Sequence, residues 1–141
     1  MKKHQQPGLK KNFKNKIGII GVGYVGLPLA INLSKSFEVI AFDKDKKRIL
    51  ELIKGYDKNN EHSKKELIKK NLLFSNDYQK ITDCNTYIVT LPTPLNNKKL
   101  PDISMVIKAT KDLVKIIKKE DLIIYESTFY PGTVDEYLIP I

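Results

Sequence analysis

Residues 16–27 read KIGIIGVGYVGL. Three isoleucines lie among the first five residues, and such a β-branched run is typical of a buried strand in a parallel sheet. Gly21, Gly23 and Gly26 follow at once in the spacing G-x-G-x-x-G. The stretch therefore predicts a strand, a glycine turn and the start of a helix.

Each glycine of this turn has a separate predicted role. Gly21 allows a tight turn, Gly23 allows the backbone to approach a pyrophosphate, and Gly26 allows the helix to pack closely on the strand. The phosphates would lie on free N–H groups at the positive end of the helix dipole. A glycine turn that binds nothing is the alternative. A P-loop does not fit, since Leu27 and Pro28 stand where lysine and a hydroxyl residue are required.

A carboxylate follows the second predicted strand. Residues 37–42 form an apolar run that ends at Asp43, about twenty residues beyond the turn, where dinucleotide-binding folds place an acid on the adenosine ribose. Such a carboxylate accepts hydrogen bonds from both ribose hydroxyls and repels a 2′-phosphate. Residues 44–48 carry four cations that could neutralise this phosphate, but flexible lysines turn to solvent, where their attraction is screened. We therefore expect NAD rather than NADP.

Length and composition indicate one globular domain. The 141 residues are 41% hydrophobic and 29% charged, and no apolar run reaches the roughly 18 to 20 residues of a membrane span. A single cysteine, Cys84, excludes an internal disulfide and fits a reducing compartment, so a cytoplasmic protein without membrane partners is expected. His62 is a lone loop histidine, and no metal site is expected.

The formal net charge of +9 does not by itself indicate nucleic-acid binding. Residues 1–15 carry five lysines and no acid, so more than half of the charge lies in a predicted flexible tail. The other lysines are scattered over predicted helix faces beside acidic residues, which is typical of a solvated surface. No nucleic-acid partner is expected, although anionic ligands such as nucleotide sugars would be attracted.

Strands and helices alternate along residues 16–141, which are predicted to form one domain. Further strands are predicted at 72–74, 85–91 and 122–125, and helices at 24–35, 44–55, 63–70, 102–119 and 134–139. Right-handed crossovers give an α/β, doubly wound parallel sheet of Rossmann type in the order 3-2-1-4-5, with the usual sixth strand missing. The second helix is expected to bury Ile49, Leu50 and Ile53, and Asp102 to cap the fourth.

Two loops follow the fourth and fifth strands. Pro92-Thr93-Pro94 comes after the fourth strand, where two prolines restrict the backbone, and residues 126–133 come after the fifth. Ligands of open α/β sheets bind at the carboxyl ends of the strands. Both loops are therefore expected at the ligand-binding edge.

Together, these motifs resemble the N-terminal NAD-binding domain of the UDP-glucose/GDP-mannose dehydrogenase family. The resemblance covers residues 16–141 and rests on the glycine turn with Leu27-Pro28, Asp43 with Arg48, Pro92-Thr93-Pro94, and Tyr125-Glu126-Ser127-Thr128 before Pro131-Gly132. Proline rather than glycine at position 92, the Pro101-Asp102 pair and the Tyr-Glu-Ser-Thr stretch are similar to the branch that oxidises UDP-N-acetylglucosamine or UDP-N-acetylgalactosamine to the uronic acid.

The resemblance implies a role for each matching residue. The NAD pyrophosphate would be held by Gly21, Gly23, Tyr24, Val25 and Gly26, the adenosine ribose by Asp43, the adenosine end by Arg48, and the nicotinamide side by Thr93 and Thr128. Thr128 would also lie near the reaction centre and assist catalysis. Tyr24 fits a partly packed aromatic at the helix start equally well. Phe129 departs from the smaller β-branched residue that is usual after this threonine.

The resemblance also implies chemistry that this chain does not carry. Family members use a cysteine nucleophile in a C-terminal glycine-rich motif during two hydride transfers, assisted by a lysine and an asparagine, and they dimerise through a helix beyond residue 141. Cys84 does not match that motif and is expected to be a packed thiol. The homodimer is therefore expected only with the C-terminal part.

The sequence predicts the NAD-binding part of a UDP-N-acetylhexosamine 6-dehydrogenase for surface polysaccharide biosynthesis, inactive by itself. The UDP-sugar would be the partner of the full-length enzyme. Two alternatives stay open: a UDP-glucose or UDP-N-acetylmannosamine dehydrogenase, and a non-catalytic NAD-binding module that regulates a partner.

Overall fold

A computed structural model describes residues 15–96 and 99–141 of the chain. The strands within these ranges are β1 (Lys16–Ile20), β2 (Glu38–Phe42), β3 (Leu72–Ser75), β4 (Thr86–Val89) and β5 (Leu122–Tyr125). They form one parallel sheet in the order β3-β2-β1-β4-β5, which confirms the predicted topology. The same ranges contain no sixth strand. The predicted tail lies outside the described residues except for its last position.

Helices connect these strands and cover both faces of the sheet. They are α1 (Gly26–Leu33), α2 (Lys46–Ile53), α3 (Lys64–Leu67) and α4 (Ser104–Leu113), with a 3-10 turn at Tyr78–Ile81 and a π-helical turn at Val134–Leu138. A capping box precedes α3, since the Glu66 carboxylate accepts the Ser63 N–H at 2.8 Å. None of the helices in the described part of the chain has the length and apolar character needed to cross a membrane.

The pleat of the central strands divides the core into two layers. Ile17 and Ile19 of β1 pack with α1, α2 and α3 on one face. Ile20 packs with Tyr87, α4 and the π-helical turn on the other. β1 is therefore apolar on both sides, as expected for the central strand of a parallel sheet.

Helices α1 and α2 differ in detail from the predicted helices. α1 begins at Gly26, so Tyr24 and Val25 belong to the turn before it. On α2 the prediction was right for Ile49 and wrong for Leu50 and Ile53, which are about half exposed. The buried face of α2 consists of Arg48, Ile49 and Leu52, because the helix is rotated to place the arginine inside the protein.

The fourth helix is shorter than its apolar repeat predicts. α4 ends at Leu113, where the backbone changes to tighter bonds such as Ile116 N–H to the Leu113 carbonyl at 2.9 Å. The chain must turn here so that Leu122 can enter β5 beside β4. The Asp102 carboxylate does accept the N–H of Ser104 at 2.9 Å, although it lies one residue outside the helix cap, Ile103.

Two core tyrosines have opposite hydrogen-bonding environments. The Tyr87 hydroxyl donates to the Cys84 carbonyl at 2.9 Å, whereas the buried Tyr78 hydroxyl has no partner among the described residues. Burial raises the pKa of both phenols, that of Tyr87 to about 12, so both donors stay protonated at neutral pH. A buried donor without an acceptor costs free energy that a satisfied donor does not.

Removal of the two hydroxyls should therefore have different effects on stability. Tyr87→Phe leaves the Cys84 carbonyl without its bond and should lower the free energy of unfolding by about 1 to 2 kcal/mol. Tyr78→Phe keeps the edge-to-face contact with Phe42, whose ring centroid lies 5.2 Å away, and should match or exceed wild-type stability. Urea unfolding measures both variants, and equal losses of stability in the two would contradict the distinction between a satisfied and an unsatisfied hydroxyl.

Candidate functional site

The glycine turn lies between β1 and α1 at the carboxyl edge of the sheet. Gly21 has φ +100°, a conformation that favours glycine, and its N–H donates to the Phe42 carbonyl at 2.9 Å. At Gly26, a Cβ would overlap the Gly21 carbonyl oxygen and lie 2.5 Å from Thr90 Oγ1. At Gly23, a Cβ would meet no protein atom within 4 Å. The backbone is therefore closely packed at Gly21 and Gly26 but open at Gly23.

Thr90 connects this turn to β4, the neighbouring strand in the sheet. Its buried hydroxyl lies 2.7 Å from the Gly21 carbonyl and 3.2 Å from that of Ile20, directly after β4. The sequence pattern indicates Thr90 only as part of a strand. One feature of the sequence could have identified it: Thr90 is a hydroxyl residue directly after the apolar run Tyr87-Ile88-Val89.

Asp43 links the glycine turn to α2. One carboxylate oxygen accepts the Val22 N–H and the other accepts the Asp45 N–H, both at 2.9 Å. Asp45 in turn caps α2 by accepting the N–H groups of Lys47 and Arg48. A carboxylate has about four acceptor positions, so Asp43 keeps capacity for two further donors.

The Arg48 side chain is buried, whereas a residue that only contacts a ligand at the surface would be exposed. Its side chain is 5% exposed and that of Asp57 is 0% exposed, and Arg48 Nη1 lies 2.8 Å from Asp57 Oδ1. Burial alone would raise the pKa of Asp57, but Arg48 and the N–H groups of Asn59 and Glu61 outweigh it, so the pKa lies below its usual value. No sequence motif points to Asp57, which lies in a polar link without a helical or strand pattern.

Two cavities meet at Asp43. The first, of about 160 Å³, is mainly apolar and is lined by Phe42, Leu91 and Ala109 among others. The second, of about 230 Å³, is a groove bordered mostly by polar and charged residues, here called the polar groove; among the residues that line it are Gly23, Tyr24, Arg48, Lys58 and Asn59. Tyr24 lies at the groove with 73% of its surface exposed. The carboxylate thus lies between an apolar cavity and a groove of mainly polar residues.

The loops after β4 and β5 are tied together. The Thr93 hydroxyl donates to the Thr128 carbonyl at 2.8 Å, and the Ser127 hydroxyl donates to the Leu91 carbonyl at 2.7 Å. The structure therefore brings together the two threonines that the sequence motifs single out. It also adds Ser127 as the residue that joins the second loop to the wall of the apolar cavity, since Leu91 lines that cavity.

Cys84 lies at the opposite edge of the sheet. It precedes β4, whereas the glycine turn and both loops follow strands, and its side chain is buried. Burial raises the pKa of the thiol to about 11, so it is protonated at neutral pH. Among residues 15–96 and 99–141, no group of three or more histidine, cysteine and acidic side chains could hold a metal ion.

Comparison with known proteins identifies similar chains. The NAD binding domain of the UDP-glucose/GDP-mannose dehydrogenase family matches residues 15–141. The chain is 48% identical over 127 residues to a UDP-N-acetyl-D-glucosamine 6-dehydrogenase of Salmonella typhi and 42% identical over 127 residues to one of Pseudomonas aeruginosa. Both alignments cover 89% of this chain and 30% of the relative. The UDP-D-ManNAc dehydrogenase structure from Pyrococcus horikoshii has a TM-score of 0.81 at 25% identity, covering 86% of this chain and 30% of that one.

These similarities confirm the predicted family resemblance and the Rossmann-type fold. The chain spans less than a third of the length of each of these relatives. The matched domain is the one that binds NAD in this family, which confirms the predicted cofactor.

The different packing of two glycines predicts different effects of the same substitution. Gly26→Ala places a methyl group against backbone atoms that cannot move freely and should lower the free energy of unfolding by about 2 to 3 kcal/mol. Gly23→Ala meets open space and should leave stability within about 0.5 kcal/mol of wild type.

Gly23→Ala should nevertheless weaken NAD binding by about tenfold or more, because its methyl group would occupy the space through which a pyrophosphate approaches the backbone. Isothermal titration calorimetry with the folded variant measures this loss. Wild-type affinity in Gly23→Ala would show that the pyrophosphate does not bind at the turn.

Proposed function

The chain belongs to the UDP-glucose/GDP-mannose dehydrogenase family, and we propose that residues 16–141 form the NAD-binding domain of a nucleotide-sugar 6-dehydrogenase. The enzyme would oxidise a UDP-N-acetylhexosamine to its uronic acid for surface polysaccharide synthesis. One observation carries the proposal: Asp43 holds the Val22 N–H at 2.9 Å and borders both cavities beside the open backbone of Gly23. This arrangement suits a dinucleotide bound across the turn.

The proposed NAD pose follows from the chemistry of each part of the site. The pyrophosphate would lie over Gly23 and the start of α1, where no side chain caps the helix. Asp43 would accept the ribose hydroxyls, and the apolar cavity would take the adenine ring. Arg48, which lines the polar groove together with Asp43, would lie on the ribose side of the adenosine. Thr93 and Thr128 would then contact the nicotinamide side.

The reacting end of the cofactor would lie at the loops after β4 and β5. NAD supplies the hydride acceptor, and this chain contributes the Thr128 side chain and the Thr93 tie that orders the loops. Oxidation of an alcohol to a carboxylate needs a way to hold the intermediate aldehyde. Cys84 is buried at the other edge of the sheet and cannot perform that step. The remaining chemistry would come from further parts of the enzyme.

The relatives support an N-acetylhexosamine substrate. Two UDP-N-acetyl-D-glucosamine 6-dehydrogenases are 48% and 42% identical to this chain. The similarity in fold to a UDP-D-ManNAc dehydrogenase supports UDP-N-acetylmannosamine as the second candidate. Parts of the enzyme outside these residues would mainly select the sugar. They would also provide the contacts of the expected homodimer.

NAD should bind this chain more tightly than NADP. Asp43 would repel a 2′-phosphate placed at the ribose, and the nearby Lys44 is directed toward Asp112, with 3.8 Å between Nζ and Oδ2. We expect at least about tenfold weaker binding of NADP by calorimetric titration. Asp43→Asn should narrow this ratio, because it removes the repelling charge. An equal or greater affinity for NADP in the wild type would contradict the assignment of Asp43.

The purified chain should bind NAD but produce no NADH with UDP-N-acetylglucosamine, UDP-N-acetylgalactosamine or UDP-glucose. The reason is the lack of an accessible thiolate at the cofactor site, since the only thiol is buried and protonated. Absorbance of NADH measures turnover, with a complete UDP-N-acetylglucosamine 6-dehydrogenase as the positive control. NADH formation by the wild-type chain that Cys84→Ser abolishes would contradict the prediction that the chain alone is inactive and that Cys84 has no catalytic role.

A further inference from the structure

A chain of charged contacts runs beneath the glycine turn. It begins at Asp57, whose buried carboxylate accepts the N–H groups of Asn59 at 3.3 Å and Glu61 at 3.2 Å. Because its own loop holds this carboxylate, Asp57 is a fixed point against which another side chain can be placed. Arg48 is that side chain, at 2.8 Å.

Arg48 extends the contacts to the turn itself. Its Nε lies 3.5 Å from the Val22 carbonyl oxygen, and the Val22 N–H is held by Asp43 at 2.9 Å. Both polar backbone groups of Val22, the residue between Gly21 and Gly23, are thus held by ionisable side chains. The orientation of the Val22–Gly23 peptide therefore depends on where the guanidinium lies.

The same contacts shape the polar groove. Lys58 and Asn59 follow Asp57 directly and line this groove together with Val22, Gly23 and Arg48. Loss of the Asp57 anchor would free both the wall that carries Lys58 and the guanidinium beside Val22. Asp57 does not itself line the groove, but it holds in place both the loop that carries Lys58 and the side chain of Arg48.

A buried ion pair is weak evidence for a role in stability alone. The desolvation of two charges offsets much of their attraction, and apolar residues often replace such pairs without loss. We propose that Asp57 is a positioning residue for NAD, which acts through Arg48 to orient the glycine turn and the groove. The inference rests on the NAD binding proposed above and assigns to Asp57 the ordering of that site.

Asp57→Asn tests this role, because it keeps the shape of the side chain and removes its charge. NAD affinity should fall by about tenfold or more when measured by calorimetry on folded protein. Loss of a negative charge near an anionic ligand would by itself strengthen binding, so the predicted sign is opposite to a simple charge effect. Glu61→Gln, which removes an exposed carboxylate from the same loop, measures that charge effect.

A second readout observes the turn directly. In 15N–1H spectra recorded without NAD, the Val22 and Gly23 amide resonances should shift in Asp57→Asn and stay in place in Glu61→Gln. A purely structural role would lower the stability of Asp57→Asn without changing these resonances or the affinity. Unchanged or tighter NAD binding by folded Asp57→Asn would overturn the proposal.

Two further outcomes remain distinguishable. If Asp57→Asn does not fold, the double variant Arg48→Met with Asp57→Leu replaces the pair by apolar groups. It should fold with shifted Val22 and Gly23 amides, and any loss of NAD affinity in it would include the loss of the proposed Arg48 contact. Wild-type amides and affinity in that variant would contradict the proposal. If the wild-type chain itself binds no NAD, the proposed function fails, and the amide shifts alone decide whether Asp57 orders the turn.

Discussion

The close approach of backbone at Gly21, Gly26 and Thr90 is the constraint on which the rest of the site depends. A Cβ at Gly26 would overlap the Gly21 carbonyl, so α1 can begin directly beyond β1 only if this residue is glycine. The helix start then lies at the carboxyl edge, with β2 and β4 on either side of β1. Asp43 and Thr90, which follow those two strands, reach the same turn from opposite sides.

The sheet was predictable because its strands carry local signals. β1 and β4 are apolar runs, and the alternation with helices determines the parallel order. The face of α2 was not predictable in the same way. A pattern of apolar residues places Leu50 and Ile53 inside and an arginine outside, but Arg48 is buried because Asp57 neutralises it. That partner lies in a polar link, which no helical repeat connects to the arginine.

The residues of the candidate site also differ in how far local sequence could predict them. Glycine spacing and the acid after β2 depend on local sequence, so the turn and Asp43 were identified, and their geometry fits the proposed roles. Thr90 and Ser127 act through hydroxyl bonds to the carbonyls of Gly21 and Leu91, each formed across the sheet. Such contacts need the strand order and register, which residue types alone do not provide. All of the assignments to NAD, those of the glycine turn and Asp43 as well as those of Arg48, Thr93 and Thr128, remain predictions.

Amide chemical shifts during an NAD titration of the 15N-labelled chain test the central claim most directly. If NAD lies across the glycine turn, the largest changes should come from Gly23, Tyr24 and Val25, with smaller changes at Asp43 and at the loop that carries Thr128. Residues at the amino edge, such as Lys16 and Asn85, serve as internal controls and should stay in place. Saturable changes confined to the amino edge, or none at Gly23, would contradict NAD binding at the glycine turn.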